Sequence, residues 1–252
     1  MQLLIVRHGH CLGQCAPDDP SPDSALSPLG EQQARLAAHR LAAGNVWAMT
    51  EREHEEWPGR PVAPPPSKAS QPYVLSSPLI RALATASMIA DALGGQPVEV
   101  WPELRELSLV KHRGFGRAEL QQRFPHAVLP ASITDNGWEH GDPSVDAVVL
   151  RCQHVRTMLQ ERFTAEDHVV MVTHGGFVNA LLHTLLRISP TSPSWFAMAN
   201  GGFSRVRLVP EQERAGWPPL FPPVAAEIVY WNDVSHLTVG PSPLAQRGPD
   251  GE

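Results

Sequence analysis

The sequence predicts an α/β protein, a three-layer α/β/α sandwich with a mostly parallel central sheet. Two observations support this fold class. A short apolar run, then a polar or glycine-rich turn, then a helix-patterned stretch recurs three times, with the apolar runs at residues 3–6, 73–75 and 169–172. The runs do not alternate between apolar and polar residues, which is typical of strands covered by helices on both faces.

Length and composition predict one large domain. A folded chain of 252 residues buries about 75% of the surface that its unfolded form exposes, and 42% hydrophobic with 18% charged residues is typical of a globular protein. We expect a single domain over residues 1–240. Residues 44–72 are rich in proline and form an expected insertion loop, and residues 241–252 form an expected flexible tail.

The helix signals separate scaffold from candidate site. Ser27 and Ser77 each precede a proline, a pairing that favours a capped helix start. Residues 29–43, 79–93 and 144–163 follow helical patterns, and we assign them no chemistry.

Charge and targeting signals narrow the class of partner. A formal net charge of −6 gives no long-range attraction for nucleic acid or for an anionic membrane. The apolar run at residues 3–6 has no basic residues before it and stops at Arg7, so it reads neither as a signal peptide nor as a membrane span. We expect a cytoplasmic protein that binds neither nucleic acid nor membranes.

The three cysteines are Cys11, Cys15 and Cys152. An odd number without an export signal favours reduced thiols over a disulfide framework. Cys11 and Cys15 next to His8 and His10 could also be read as a zinc site. No second ligand pair with structural-zinc spacing follows, so we favour a thiol-bearing loop.

The three predicted strands end in residues that could share one site. His8 follows the first run, Ser77 and Arg81 follow the second, and His174 follows the third. Open parallel sheets bind ligands beyond the carboxyl ends of their strands, so we expect these residues to converge.

These residue types suit phosphoryl transfer. The reaction needs a nucleophile in line with the leaving oxygen and positive donors around the other phosphoryl oxygens. His8 is the candidate nucleophile, and Arg7, Arg81 and His174 are candidate donors. Each alone has an ordinary reading, as a structural histidine or a solvated charge; their joint placement favours the functional one.

The same segments resemble the histidine phosphatase superfamily, which has the phosphoglycerate mutase-like fold. The resemblance covers most of the chain and rests on Arg7-His8-Gly9, Leu26-Ser27-Pro28-Leu29-Gly30, Ser76-Ser77-Pro78-Leu79-Ile80-Arg81, Val172-Thr173-His174-Gly175-Gly176 and Asn232-Asp233-Val234-Ser235-His236. It implies a phosphatase that forms a covalent phosphohistidine on His8, with Arg7, Arg81, Gln14 and Gly175 binding phosphate and His174 assisting catalysis.

The resemblance also implies a general acid and base in the segment Leu104-Arg105-Glu106. Glu106 would protonate the leaving group and then activate water. Glu103 is also acidic and nearby, so the choice between the two stays open, with the family register favouring Glu106. The guanidinium groups and His174 already supply the positive charge that Mg²⁺ supplies in kinases, so we expect neither a metal nor a cofactor.

Several positions depart from the family pattern. His10 replaces the usual acidic residue or glutamine, and Gln14 replaces an asparagine. A basic stretch that contains Lys111, His112, Arg113 and Arg117 could grip a second anionic group, or it could be a solvated loop. Trp138 could close over the pocket or pack on its own domain.

We therefore predict a phosphatase acting on a small phosphorylated substrate. A phosphoglycerate-type mutase is the nearest rival, although the mutase signature Asn-Glu-Arg-His-Tyr-Gly is absent. A non-catalytic phosphoprotein-binding module is a second rival. The particular substrate and the oligomeric state cannot be read from the sequence.

Overall fold

The computed structural model describes residues 1–15, 23–44, 46–47, 71–209 and 224–237. Most of the predicted insertion and all of the predicted tail lie outside the described residues. The strands of the main sheet are β1 (Gln2–Arg7), β2 (Tyr73–Ser76), β3 (Val98–Val100), β5 (Ala127–Val128), β7 (His168–Thr173), β8 (Phe203–Leu208) and β9 (Ala226–Asp233). Two short strands, β4 (His112–Gly114) and β6 (Trp138–His140), form a separate antiparallel ladder.

The main sheet has the order β5-β3-β2-β7-β1-β8-β9. The strands from β5 to β1 are parallel to one another, while β8 and β9 add an antiparallel edge next to β1. β7 lies between β1 and β2, so the three apolar runs found in the sequence are adjacent at the centre of the sheet. This arrangement confirms the predicted α/β fold with its mostly parallel sheet.

Helices cover both faces of the sheet. The helices are α1 (Leu12–Cys15), α2 (Pro28–Ala42), α3 (Ile80–Ala92), α4 (Arg117–Arg123), α5 (Val145–Arg162) and α6 (Gly175–Leu185). Leu4 and Val6 of β1 pack in a core cluster with residues of α2 and α3. Leu3 and Ile5 pack in a second cluster with residues of α5 and α6. Every residue of β7 is buried, as expected for a strand covered on both faces.

One of the two predicted serine caps is wrong. Ser27 caps α2, and its hydroxyl accepts from the Gly30 N–H at 3.2 Å. Ser77 does not cap α3, because Leu79 precedes the first helical residue, Ile80. The Ser77 hydroxyl instead hydrogen-bonds to the ring of His174 at 2.8 Å and accepts from the Leu79 N–H at 3.3 Å.

The β4–β6 ladder shares a core cluster with the start of α3. Trp138 of β6 is buried in the same cluster as Leu79 and Ile80. The segment that leads to β4 is joined to the segment after β6, since the Asp142 N–H donates to the Ser108 carbonyl at 2.6 Å. The ladder therefore sits beside the helix that carries Arg81.

Three further features concern the predicted classes of site. No described helix combines the length and the hydropathy needed to cross a membrane. Cys11 and Cys152 are buried free thiols. Within the described residues, no group of three or more histidine, cysteine or acidic side chains is placed to hold a metal ion.

The turn after β1 lies directly against α2. A Cβ atom added at Gly30 would come 1.8 Å from the His10 carbonyl oxygen, and one added at Gly9 would come 2.3 Å from the Gly30 carbonyl oxygen. Both positions need a glycine because two stretches of backbone are in contact, so Gly9 and Gly30 together fix the height of the turn that carries His8.

We predict that Gly30→Ala destabilises the protein by about 1–3 kcal/mol, because the methyl group overpacks a contact between backbones. In an open helix the same change would stabilise by about 1 kcal/mol, so the clash reverses the sign. Gln32→Ala, at an exposed site in the same helix, is the control and should change the free energy of unfolding by about 0.5 kcal/mol or less. Urea denaturation would measure both, and a Gly30→Ala protein as stable as the wild type would contradict the contact.

Candidate active site

The site forms where the three central strands end. The His8 N–H donates to the Thr173 carbonyl at 3.0 Å, and the Ser77 N–H donates to the Val172 carbonyl at 3.1 Å. The segments that follow β1, β2 and β7 therefore lie side by side. The rings of His8 and His174 have their centroids 4.9 Å apart, so residues 166 positions apart in the chain are neighbours in this pocket.

The two nitrogens of His8 have different partners. Nδ1 lies 2.6 Å from the Gly9 carbonyl oxygen, which can only accept, so Nδ1 carries the ring proton in a neutral His8. Nε2 is 3.3 Å from the Nε–H of Arg81 and accepts from it. The imidazole thus turns an unprotonated Nε2 toward a guanidinium group, and an unprotonated nitrogen is what a histidine nucleophile must present.

Arg81 is held in the first turn of α3 by polar groups on both sides. The Asp23 carboxylate accepts from the Ile80 N–H at 2.7 Å and lies 3.9 Å from the Arg81 guanidinium. The Thr85 hydroxyl donates to the Arg81 carbonyl at 2.8 Å and accepts from the Gly9 N–H at 3.2 Å. These contacts tie the turn that carries His8 to the helix that carries Arg81.

His174 and Arg7 complete the group of side chains. His174 is fully buried and hydrogen-bonds to Ser77 through Nε2, whereas its Nδ1 has no hydrogen-bond partner among the described residues. Arg7 donates through Nη1 to the Met198 carbonyl at 2.5 Å. Its Nε is buried without a partner in the described part of the chain. A Cβ atom at Gly175 would lie 3.3 Å from that Nε, so Gly175 packs against the guanidinium.

Burial and positive neighbours keep both histidines neutral. Burial, followed by the charge of Arg81, lowers the pKa of His8 well below its usual range, although the Gly9 carbonyl opposes the shift. Burial and Arg81 likewise lower the pKa of His174. Two guanidinium groups beside two neutral imidazoles make a pocket that favours an anion.

Gln14 lies outside the group formed by Arg7, His8, Arg81 and His174. Its side chain is exposed, and its Nε2 donates to the Asn200 Oδ1 at 3.1 Å. Asn200 in turn donates through Nδ2 to the His8 carbonyl at 3.0 Å. Gln14 therefore reaches His8 through Asn200, while its Oε1 accepts from the Cys11 N–H of the same turn at 3.1 Å.

Glu106 lies at the edge of the same pocket. Its carboxylate accepts from the N–H groups of Leu107 at 2.8 Å, Gly176 at 3.2 Å and Phe177 at 2.9 Å. Two of these donors belong to the first turn of α6, whose N–H groups have no acceptors within the helix. Glu103 accepts from Arg151 Nη1 at 2.8 Å, but through its backbone carbonyl and not its carboxylate. The structure thus joins the Glu106 side chain to the helix that follows His174.

One residue of the basic stretch, Arg117, is held by the protein itself. Arg117 donates to the carbonyls of Ile133 at 2.9 Å and Pro130 at 2.5 Å, so it stabilises its own loop. Lys111 and Arg113 are exposed. Trp138 is 5% exposed and packs in the core beside α3, which agrees with the packing reading and not with a closing lid.

The sequence analysis missed three residues of this site, namely Asp23, Thr85 and Asn200. Thr85 follows Arg81 by four positions, which places it one helical turn further on, so helix geometry could have found it. Asp23 and Asn200 reach the pocket from segments without a strand or helix pattern. The glycine pair at 201–202 indicates a turn before β8, but it does not indicate what Asn200 contacts.

Fold and site together define a class of protein: an α/β protein whose histidine and arginine side chains meet at the carboxyl ends of parallel strands. Residues 66–216 match the sequence profile of the histidine phosphatase superfamily (branch 1). The chain belongs to that superfamily. The matched range contains Arg81, Glu106 and His174, and it begins after the turn that carries His8.

Similar proteins include phosphatases. The chain is 29% identical over 240 residues to a glucosyl-3-phosphoglycerate phosphatase of Mycolicibacterium vanbaalenii, covering 92% of this chain and 94% of the relative. It is 29% identical over 255 residues to a metal-independent phosphoserine phosphatase of Arabidopsis thaliana, covering 100% of this chain and 88% of the relative. A solved phosphoserine phosphatase from Entamoeba histolytica has the same fold, with a TM-score of 0.56, 20% identity and coverage of 94% and 98%.

We predict that Asp23 makes stability depend on pH between about 4 and 6. Burial raises the pKa of Asp23 from 3.8 to about 6, against the opposing effects of the Ile80 N–H, Arg81 and Arg123, while Glu119 adds to the rise. The folded state therefore holds a proton that the unfolded state has released, and stability falls as pH rises through this window. A difference of about two pKa units corresponds to about 3 kcal/mol.

Asp23→Asn should lose this dependence, so that its melting temperature relative to wild type rises between pH 4 and pH 7. Asp135→Asn, at an exposed position, is the matched control and should track the wild type at every pH. Parallel pH profiles for wild type and Asp23→Asn would contradict the prediction.

Proposed function

We propose that the protein is a metal-independent phosphomonoester hydrolase that acts through a covalent phosphohistidine on His8, with Glu106 as general acid and base. The observation that carries the proposal is the state of His8. Its Nδ1 is bound to the Gly9 carbonyl, and its unprotonated Nε2 faces the Arg81 guanidinium. Membership of the histidine phosphatase superfamily and the phosphatases among its relatives support the same reading.

The first step is capture of the phosphoryl group. Arg7, Arg81 and the N–H of Gly175 at the start of α6 are the proposed donors to the phosphoryl oxygens. The Nε–H of Arg81 now donates to His8, so we propose that it shifts to a phosphoryl oxygen when substrate binds. That shift frees the Nε2 lone pair. His174 would donate through Nδ1 while its Nε2 stays hydrogen-bonded to Ser77. Gln14 is a proposed outer contact of the phosphate.

The second step is the transfer itself. Nε2 of His8 attacks phosphorus, the bond from phosphorus to the ester oxygen breaks, and protonated Glu106 gives its proton to the departing oxygen. In the second half of the reaction, Glu106 takes a proton from water, the water oxygen attacks phosphorus, and the bond between phosphorus and Nε2 breaks. Inorganic phosphate leaves, and His8 returns to its starting form. A general acid and base in this position contributes about 10²- to 10⁴-fold in rate.

The donor set also bears on metals and substrates. Two guanidinium groups supply the positive charge that a metal ion supplies in other phosphoryl-transfer sites, and the neutral His174 adds a hydrogen-bond donor. We therefore propose that a chelator leaves activity unchanged. The phosphatase relatives act on small phosphorylated molecules by name, and we propose a substrate of that size. A cytoplasmic location remains a prediction of the sequence.

We predict that His8→Gln lowers phosphate release from p-nitrophenyl phosphate by about 10³-fold or more, because the nucleophile is lost. His39→Gln, at an exposed position of α2, is the matched control and should retain wild-type activity. Undiminished turnover by His8→Gln would contradict the proposal. Return of the phosphoryl group to an organic acceptor in place of water would favour the mutase, and tight binding without turnover by the wild type would favour the binding module.

We predict that Glu106→Gln separates the two halves of the reaction. p-Nitrophenolate leaves without protonation, so the first half should continue, whereas hydrolysis of the phosphohistidine should slow by about 10²-fold or more. Stopped-flow absorbance should show a burst of about one p-nitrophenolate per chain followed by slow turnover.

Glu103→Gln is the matched control for this experiment, since Glu103 is the other candidate acid. It should show wild-type turnover without a burst. A burst in Glu103→Gln and normal turnover in Glu106→Gln would assign the role to Glu103 and contradict our choice.

A further inference from the structure

His140 is a buried side chain that the proposed reaction does not use. It lies in β6 opposite His112 of β4, with ring centroids 5.2 Å apart, and its ring stacks on Trp138 at 4.6 Å. The residue is 5% exposed, and neither ring nitrogen has a hydrogen-bond partner among the residues that the structure describes. Buried polar atoms are usually paired, so an imidazole with two unpaired nitrogens calls for a partner.

The position of His140 points to the side of the site where the leaving group would lie. Arg105, which directly precedes Glu106, donates to the Gly141 carbonyl at 3.2 Å, next to His140. Trp138, on which the ring stacks, belongs to the same buried core cluster as Ile80, the neighbour of Arg81. The charges of Arg105 and Arg81 both act on the His140 ring. His140 is therefore linked to the segment of Glu106 through the residue that follows it, and it lies within range of the Arg81 charge.

The charged groups around His140 are already committed to the protein. Asp142 accepts from Arg105 at 3.1 Å and from Arg151 at 2.8 Å, so this carboxylate is not available to His140. Arg105 and Arg151 are held by that same carboxylate, and Arg117 is held by backbone carbonyls. Within the described residues, the buried ring nitrogens of His140 and the indole N–H of the neighbouring Trp138 are groups at this end of the ladder whose hydrogen-bonding capacity is unused.

The chemistry of the ring selects its partner. Burial lowers the pKa of His140 to about 4, and His112, Arg105 and Arg81 add to the effect. The ring is therefore neutral at pH 7, with one donor and one acceptor. A hydroxyl group offers both complements. One hydroxyl group reaches one of the two ring nitrogens, and it can pair with either, because it can accept from the N–H or donate to the bare nitrogen. A carboxylate only accepts, so it can pair with the N–H alone, unless the ring took up a proton beside two guanidinium groups, which is unfavourable.

We propose that His140 binds a hydroxyl group of the leaving group, so that the preferred substrates are phosphate esters of polyols or sugars rather than esters whose only other polar group is a carboxylate. This inference rests on the proposed phosphatase function and adds the class of substrate. It makes His140 a residue that determines specificity, and it replaces the second-anion role that the basic stretch suggested in the sequence.

The test compares three esters of similar size: glycerol 1-phosphate, propyl phosphate and 2-carboxyethyl phosphate. Wild-type protein should prefer glycerol 1-phosphate over each of the others by about tenfold or more in kcat/KM, because the analogues leave the buried ring unpaired. His140→Phe keeps a ring on Trp138 but removes both nitrogens, so the ratio of kcat/KM between glycerol 1-phosphate and propyl phosphate should fall to about one.

Two further variants keep the test decisive. His126→Phe, at an exposed position, is the matched control and should keep the wild-type ratio. His140→Gln offers a donor and an acceptor from an amide, so it should restore part of the preference, and it also serves if His140→Phe does not fold.

The outcomes separate this inference from the proposed function. A wild-type preference for 2-carboxyethyl phosphate, or an unchanged ratio in both His140 variants, would overturn the role of His140 while turnover of p-nitrophenyl phosphate through His8 leaves the phosphatase in place. Absence of wild-type turnover on p-nitrophenyl phosphate and on all three esters would overturn the proposed function and, with it, the inference.

Discussion

The parallel pairing of β1 with β7 and of β7 with β2 is the constraint on which the site depends. Because these strands run side by side in one direction, their carboxyl ends lie along one edge, and the residues after them are neighbours whatever their distance in the chain. The contact between Gly9 and Gly30 then fixes how far the turn after β1 rises from the sheet. His8, Ser77 and His174 meet because each follows one of three adjacent parallel strands.

Burial and positive charge act in the same direction on the two histidines of this pocket, because both lower the histidine pKa. Guanidinium groups attract an anion, and the same charges keep the neighbouring imidazoles unprotonated. A phosphate dianion would reverse that balance, since it lowers the cost of a proton on a nearby histidine. The empty pocket and the phosphate-bound pocket are therefore expected to hold different numbers of protons, which suits a site where a proton must move at each half of a reaction.

The start of α6 serves two groups at once. Its N–H donors hold the Glu106 carboxylate, while Gly175 packs against Arg7. A side chain at Gly176 would come 2.7 Å from the Glu106 carboxylate. The two adjacent glycines thus let the Arg7 guanidinium and the Glu106 carboxylate both approach the first turn of α6. This explains why two glycines follow His174 in the Thr-His-Gly-Gly segment.

The central strands and the main helices could be predicted from the sequence because each is a local pattern. The apolar runs became β1, β2 and β7, and the stretches at 29–43, 79–93 and 144–163 became α2, α3 and α5 to within one residue at each end. β8 escaped prediction since Phe203–Leu208 places two arginines in a strand that is nevertheless buried.

The part of the site that escaped prediction depends on contacts between distant segments. Asp23 meets Ile80 across 57 positions, and Asn200 meets His8 across 192. The lack of hydrogen-bond partners for the His140 nitrogens likewise depends on the pairing of β4 with β6. The sequence does not indicate that pairing, because a three-residue ladder has no sequence pattern of its own.

The central claim is that the phosphoryl group passes through His8, and mapping the phosphorylated residue tests it most directly. Wild-type protein would be mixed with a ³²P-labelled phosphomonoester, quenched in alkali within milliseconds, digested and analysed by mass spectrometry. The account predicts a label that is stable to base, labile to acid and confined to the peptide with His8. A label on any other residue, or rapid turnover with no covalent label under any quench, would contradict it.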